Sequence, residues 1–169
     1  MKTRNKGPRR IIGVDPGLAS TGWGVIDFDN QRLRYVAHGS IETKAELPRA
    51  ERLFFIYEGI RNVLEIYAPA ESAVETLYFA RNKTSAMGVA EARGVLCMAL
   101  FEYGLPVREF TPNAIKQAVV GQAKAEKIQV QEMVRLLLNL TFIPEPNHAA
   151  DALASAICAA HTALLVPGI

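Results

Sequence analysis

The hydrophobic pattern of this chain changes period after its first 41 residues, and that change limits the folds open to it. Between residues 11 and 41 apolar residues come in short runs separated by turn-forming residues. Residues 11–15 end in Pro16-Gly17, residues 21–28 end in Asp29-Asn30, and residues 33–41 form a third run. Such runs read as three strands in an antiparallel meander. From Leu53 onward the spacing becomes three to four. Leu53, Tyr57, Ile60, Leu64 and Tyr67 carry it, with Arg52, Glu58, Arg61 and Glu65 between them. This predicts an amphipathic helix that Pro69 terminates.

The alternation then continues. Residues 72–77 read as a strand, 84–103 as a helix of small apolar residues, and 106–110 as a short strand. Thr111 is a good N-cap with Pro112 at the first helical position. Residues 125–140 read as a helix, Pro144-Glu145-Pro146 as a rigid connector, and a last helix starts with Asn147 as its N-cap and runs to about Leu165. A meander followed by alternating helices and strands predicts an α/β fold, a mixed five-stranded sheet with helices on both faces.

Charge divides the chain unevenly. Five of its 19 basic residues, Lys2, Arg4, Lys6, Arg9 and Arg10, lie in the first ten positions, leaving 14 against 17 acidic ones. Residues 1–10 are therefore expected to be a solvated, disordered tail, and residues 11–169 one domain. The body is slightly acidic, so any nucleic-acid contact must come from a local patch. Cys97 and Cys158 fit no metal-binding spacing and read as buried thiols in a reducing cytosol. The most membrane-like stretch, 149–166, is shorter than the ~20 residues a spanning helix needs and carries Asp151 and His161. No membrane association is expected.

Four residues stand where burial would be costly without a purpose. Asp15 ends the apolar strand IIGVD, sharing a face with Ile11 and Gly13. The glycine-rich PGLASTGWG after it would let a ligand approach the backbone. Glu75 lies inside the apolar strand SAVETL. His148 and Asp151 are three apart at the start of an otherwise apolar helix, so they share a face. The helix N-terminus would keep His148 neutral and able to ligate. Alternatives stay open for each: a turn-capping Asp15, an edge-strand Glu75 facing water, a dipole-paired Asp151, a hydrogen-bonded His148. His38 and His161 lack acidic company and read as structural.

Three carboxylates and an imidazole from separate segments suit hard divalent cations, the donor set of two-metal phosphodiester hydrolysis. YFARNKTS combines Tyr78 and Phe79 with Arg81, Asn82 and Lys83, a mixture suited to base stacking and phosphate contact. Lys116, Lys124 and Lys127 form a second basic group. Solvated side chains are the alternative for both.

These motifs resemble the RuvC family of Holliday junction resolvases. IIGVDPGLASTGWGVID is similar to its first strand and glycine-rich turn, and AVETLYFARNKTSAMGVAEARGV to its second catalytic strand, aromatic loop and following helix. IKQAVVG and AEKIQVQEMV are similar to its lysine-bearing segment, and HAADALASAI to its final catalytic helix. The resemblance implies an RNase H-like fold and a bacterial cytoplasmic homodimer. It implies magnesium- or manganese-dependent symmetric cutting of two like-polarity strands of a four-way DNA junction, during recombination and repair. It also implies a branch-migration helicase complex as partner. Asp15, Glu75 and Asp151 match catalytic carboxylates, and His148 a fourth ligand, for two ions per site. Tyr78 matches a base-stacking aromatic, and Lys116 and Lys127 match lysines near the DNA backbone and scissile phosphate. The basic tail and Gly121-Gln122-Ala123, which lacks a second glycine, depart from the pattern. Competing readings are another nuclease of this fold, an ATP-binding protein of the actin and sugar-kinase superfold, and an inactive junction-binding module.

Overall fold

A computed structural model describes residues 7–76 and 83–162, with backbone alone for residues 83–85. β1 (Arg9–Asp15), β2 (Ser20–Asp29) and β3 (Arg32–Glu42) form the expected meander. They are followed by α1 (Arg49–Tyr67), β4 (Glu71–Glu75), α2 (Lys83–Glu102) and β5 (Val107–Phe110). The chain then adds α3 (Pro112–Val120), α4 (Lys127–Leu137) and α5 (Asn147–His161). The sheet order is β3-β2-β1-β4-β5. The meander pairs are antiparallel, whereas β1–β4 and β4–β5 are parallel, so the sheet is mixed.

Several boundaries move, each for a local reason. Arg9 and Arg10 belong to β1 rather than to a tail, because Glu71 and Asp27 hold their guanidinium groups. The β2–β3 turn is Asn30-Gln31, both at positive φ, one residue later than expected. α4 is shorter than residues 125–140. Glu126 and Gln129 form a reciprocal capping box at its start, and Asn139 takes a left-handed conformation after its end. Asn147 is the first residue of α5, not its cap; its Oδ1 accepts a hydrogen bond from Gln131 Nε2 at 2.8 Å. Thr111 caps α3 as expected, accepting from the Ala114 N–H. Gly121 ends α3 at φ 81°, and Ala123 has no positive φ that would call for a second glycine.

Alternation along the strands sends side chains to two cores. Ile12, Val14, Val25 and Val74 pack against α1 and α2. Ile11, Ile26 and Ala73 pack against α5, which α3 and α4 cover in turn. Cys97 and Cys158 are both free and sit in opposite cores. Ala92 and Ala99 of α2 are buried against the chain's own sheet, while Gly94 faces open space.

The floor beneath α5 is made of glycine. A Cβ at Gly13 would lie 1.9 Å from the Ala152 carbonyl oxygen, and one at Gly22 would lie 2.0 Å from that of His148. One at Gly24 would meet the Leu153 side chain at 2.6 Å. Gly22 and Gly24 therefore admit a helix backbone, not the ligand expected from the sequence. Alanines on α5 complete the close contact, since a longer side chain on either surface would hold the two apart.

Candidate active site

Asp15 is the last residue of β1 and lies on the face that α5 covers. The parallel register pairs Val14 with Val74, so Glu75 follows at the same end of the neighbouring strand. α5 brings the other two groups. Its first turns cross the glycine floor at Gly22, which sets His148 and Asp151 against the end of β1. Asp15, His148 and Asp151 each offer a ligand atom within 4.8 Å of the others. Glu75 is not part of this cluster at that spacing, but it lines one cleft with Asp151, Lys116 and Lys127.

Hydrogen bonds link the cluster internally. His148 Nδ1 donates to Asp15 Oδ2 at 2.7 Å, as it must, because a carboxylate there can only accept. Lys127 Nζ donates to Asp151 Oδ2 at 2.8 Å. Lys127 comes from the first residue of α4, which the Gln131–Asn147 bond fastens to α5.

Negative charge exceeds its compensation here. Burial pushes the Glu75 carboxyl up to about 7, and the nearby Asp15 and Asp151 push it the same way against Lys127 and Lys116. Burial also raises Asp151, opposed by the bond from Lys127. The bond to Asp15 raises His148, against the burial that would lower it. This runs against the expectation that the helix N-terminus would favour the neutral imidazole: the bond to the Asp15 carboxylate outweighs the helix terminus and favours the protonated form. Oxygen- and nitrogen-rich, short of positive charge and partly protonated in consequence, the donor set fits divalent cations.

The remaining expected residues divide. Lys116 and Lys127 reach the cleft, while Lys124 is exposed in the turn between α3 and α4. Tyr78, Phe79, Arg81 and Asn82 lie outside the described residues, as does the side chain of Lys83. His38 is structural as expected, bonded to the Tyr35 hydroxyl and the Glu145 carbonyl. Sequence reasoning missed the seating role of Gly13, Gly22 and Gly24. The spacing of two between Gly22 and Gly24 along β2 was visible, but only the position of α5 explains it and the role of Gly13 on β1.

The model of the family described as crossover junction endodeoxyribonuclease RuvC matches residues 11–159. The crossover junction endodeoxyribonuclease RuvC of Treponema denticola is 54% identical over 147 residues, covering 87% of this chain and 83% of that protein. The Chloroflexus aurantiacus protein of the same name is 49% identical, covering 91% and 94%. Thermus thermophilus RuvC, solved in complex with a Holliday junction substrate, superposes with a TM-score of 0.84 at 35% identity, covering 89% and 92%. The yeast mitochondrial Holliday junction resolvase Ydc2 shares the fold, with a TM-score of 0.61 at 10% identity. The architecture is thus the RNase H-like resolvase fold. The family model spans most of the chain and these relatives are about half identical over most of their length, so this chain belongs to the RuvC family of crossover junction endodeoxyribonucleases.

Proposed function

We propose that this chain resolves four-way DNA junctions, cutting two strands of like polarity symmetrically as a homodimer. The observation that carries the reading is the cluster of Asp15, His148 and Asp151, whose ligand atoms lie within 4.8 Å, beside a Glu75 that holds its proton to about 7. Such a set crowds carboxylates where burial disfavours their charged forms, a cost that bound cations would offset. Magnesium or manganese ions, two per site, held by Asp15, Glu75, His148 and Asp151, would activate the attacking water and stabilise the leaving oxygen. The chain's own part is to gather those ligands, release protons from Glu75 and His148 as cations bind, and draw the phosphate backbone. Lys116 and Lys127 do the last on the cleft wall, with Lys124 exposed in the turn between α3 and α4 as a further cation. Tyr78, Phe79, Arg81, Asn82 and Lys83 are assigned to the junction branch point, with Tyr78 stacking on a base.

The homodimer reading is supported by α2. Met87, Met98 and Phe101 are 61%, 59% and 77% exposed, and Gly94 lies open on the same helix. An apolar stripe of that kind is a partner surface, and two-fold symmetry would place two equivalent sites on one junction. A branch-migration helicase complex and the bacterial cytoplasm complete the proposal. No helix of the described residues is long and apolar enough to cross a membrane. The deciding experiment compares metal-dependent cleavage of a four-way junction with that of linear duplex and other branched substrates. Paired cuts in the four-way junction are expected, and equal cutting of linear duplex would favour a different nuclease specificity.

A further inference from the structure

A second cleft opens beside the ligand cluster, with His148 in its wall. Its walls include Gly17, Leu18, Val89, Arg49, Arg52 and His148. Since His148 is bonded to Asp15, this cleft and the one holding Lys116 and Lys127 meet at the cluster. Its cavity volume is about 360 Å³, within the range of small-ligand sites.

The two arginines break a local rule. Both stand in the first turn of α1, where the helix dipole favours anions and disfavours cations. The helix also starts at Pro48 without a side-chain cap. Glu51 shares that turn and Glu91 holds Arg49, so it is Arg52 that carries positive charge to the cleft rim. Arg52 is oriented for a ligand. Its Nε donates to Thr43 Oγ1 at 2.9 Å, and the Thr43 hydroxyl donates to the Leu18 carbonyl at 2.6 Å. That chain of bonds fixes the guanidinium to the loop following Asp15 while engaging only one of its three nitrogens. Among the described residues no carboxylate forms an ion pair with Arg52. Arg49, in contrast, is shared with Glu91 at 2.6 Å, and the Ser20 hydroxyl is taken by Glu42.

We propose that this cleft receives the continuation of the cleaved strand, with the Arg52 guanidinium bound to a backbone phosphate a few nucleotides from the scissile bond. The proposal rests on the junction-nuclease reading. Leu18 and Val89 supply apolar surface for sugar or base, and Arg49 adds longer-range attraction. A phosphate contact positions the strand and reads no sequence, so its loss weakens binding to every junction sequence alike.

The test measures junction binding in EDTA, where nothing is cut, and cleavage in Mg²⁺ or Mn²⁺ separately. Arg52→Gln is expected to weaken binding roughly tenfold and to reduce the slope of log affinity against log salt by about 0.7–0.9. Arg52→Lys should recover part of both. Methylphosphonates introduced singly along the cleaved strand should reveal one position that weakens the unmodified protein but not Arg52→Gln. Thr43→Val keeps the guanidinium charge and should retain most of the affinity and the full salt slope. The proposal is overturned if Arg52→Gln leaves the salt slope unchanged. It is equally overturned if Thr43→Val reproduces the whole defect, or if every methylphosphonate penalises Arg52→Gln as much as the unmodified chain. A protein that shows the Arg52 effect in binding but cuts no junction would support the cleft and refute the nuclease reading.

Discussion

β1 and β4 each carry charge at both ends, and the two ends have opposite characters. At the start of these strands the buried Glu71 receives both Nε and Nη2 of Arg9, and Arg108 approaches at 3.3 Å. Arg108 also donates to the Ala159 and Thr162 carbonyls, closing the last turn of α5. At the far end Lys127 is bonded to Asp151 and His148 to Asp15, while among the described residues Glu75 forms no ion pair. One end is a completed ion network and the other is an incomplete one. A buried carboxylate whose partners are all supplied by the chain is structural; one whose partners are missing is poised to bind cations.

Substitution at the two ends separates these roles. Asp15→Asn should reduce junction cleavage at least about 1,000-fold while leaving binding largely intact, since it removes a ligand and not a DNA contact. Undiminished cutting in a gel assay would sink the assignment. Glu71→Gln should leave metal dependence unchanged but cost about 2–4 kcal/mol of stability, because two partly buried arginines lose their counter-charge. Urea unfolding measures it, and a cost below about 0.5 kcal/mol would show that the network is dispensable.

The pH dependence sharpens the same contrast. Glu75 has an ordinary value of 4.5 and a folded value of about 7, so the folded chain holds an extra proton between them. Stability of the metal-free protein should therefore fall as pH rises from about 4.5 to 7, by on the order of 2–3 kcal/mol. Asp151 is raised as well and adds in the same direction. So does His148, whose stabilising contact with Asp15 is lost as pH rises through its raised value. Saturating divalent cation should flatten the slope, and Glu75→Gln should remove much of it; a metal-free stability that rises over this window would contradict the electrostatic account.

The smallest expected effect concerns metal choice. Once His148 has released its proton the ligand set carries about −3, so two divalent ions leave a net charge of about +1 for the phosphate. Imidazole also suits manganese better than carboxylate does. A several-fold preference for Mn²⁺ over Mg²⁺ in cleavage rate is expected, narrowing in His148→Asp. Equal activity with both ions in the unmodified chain would argue against a ligand role for His148 in setting that preference.

The sequence alone determined the elements and the candidate ligands. Hydrophobic period located the meander and the helices, because side-chain direction repeats every two residues in a strand and every 3.6 in a helix. An acid within an apolar run marked Asp15 and Glu75, because an unpaired carboxylate there is costly. Tertiary structure decided what those residues face. Glu71 occupies a strand start as apolar as the surroundings of Glu75, and only Arg9 and Arg108, distant in sequence, make it structural. The helix terminus alone would favour neutral His148, but the bond to Asp15, 133 residues away, shifts it the other way. Gly13, Gly22 and Gly24 gained their meaning from α5, and Arg52 from a cleft shared with His148. Pairing, burial and charge compensation depend on contacts between distant segments, and local pattern carries no record of which segments meet.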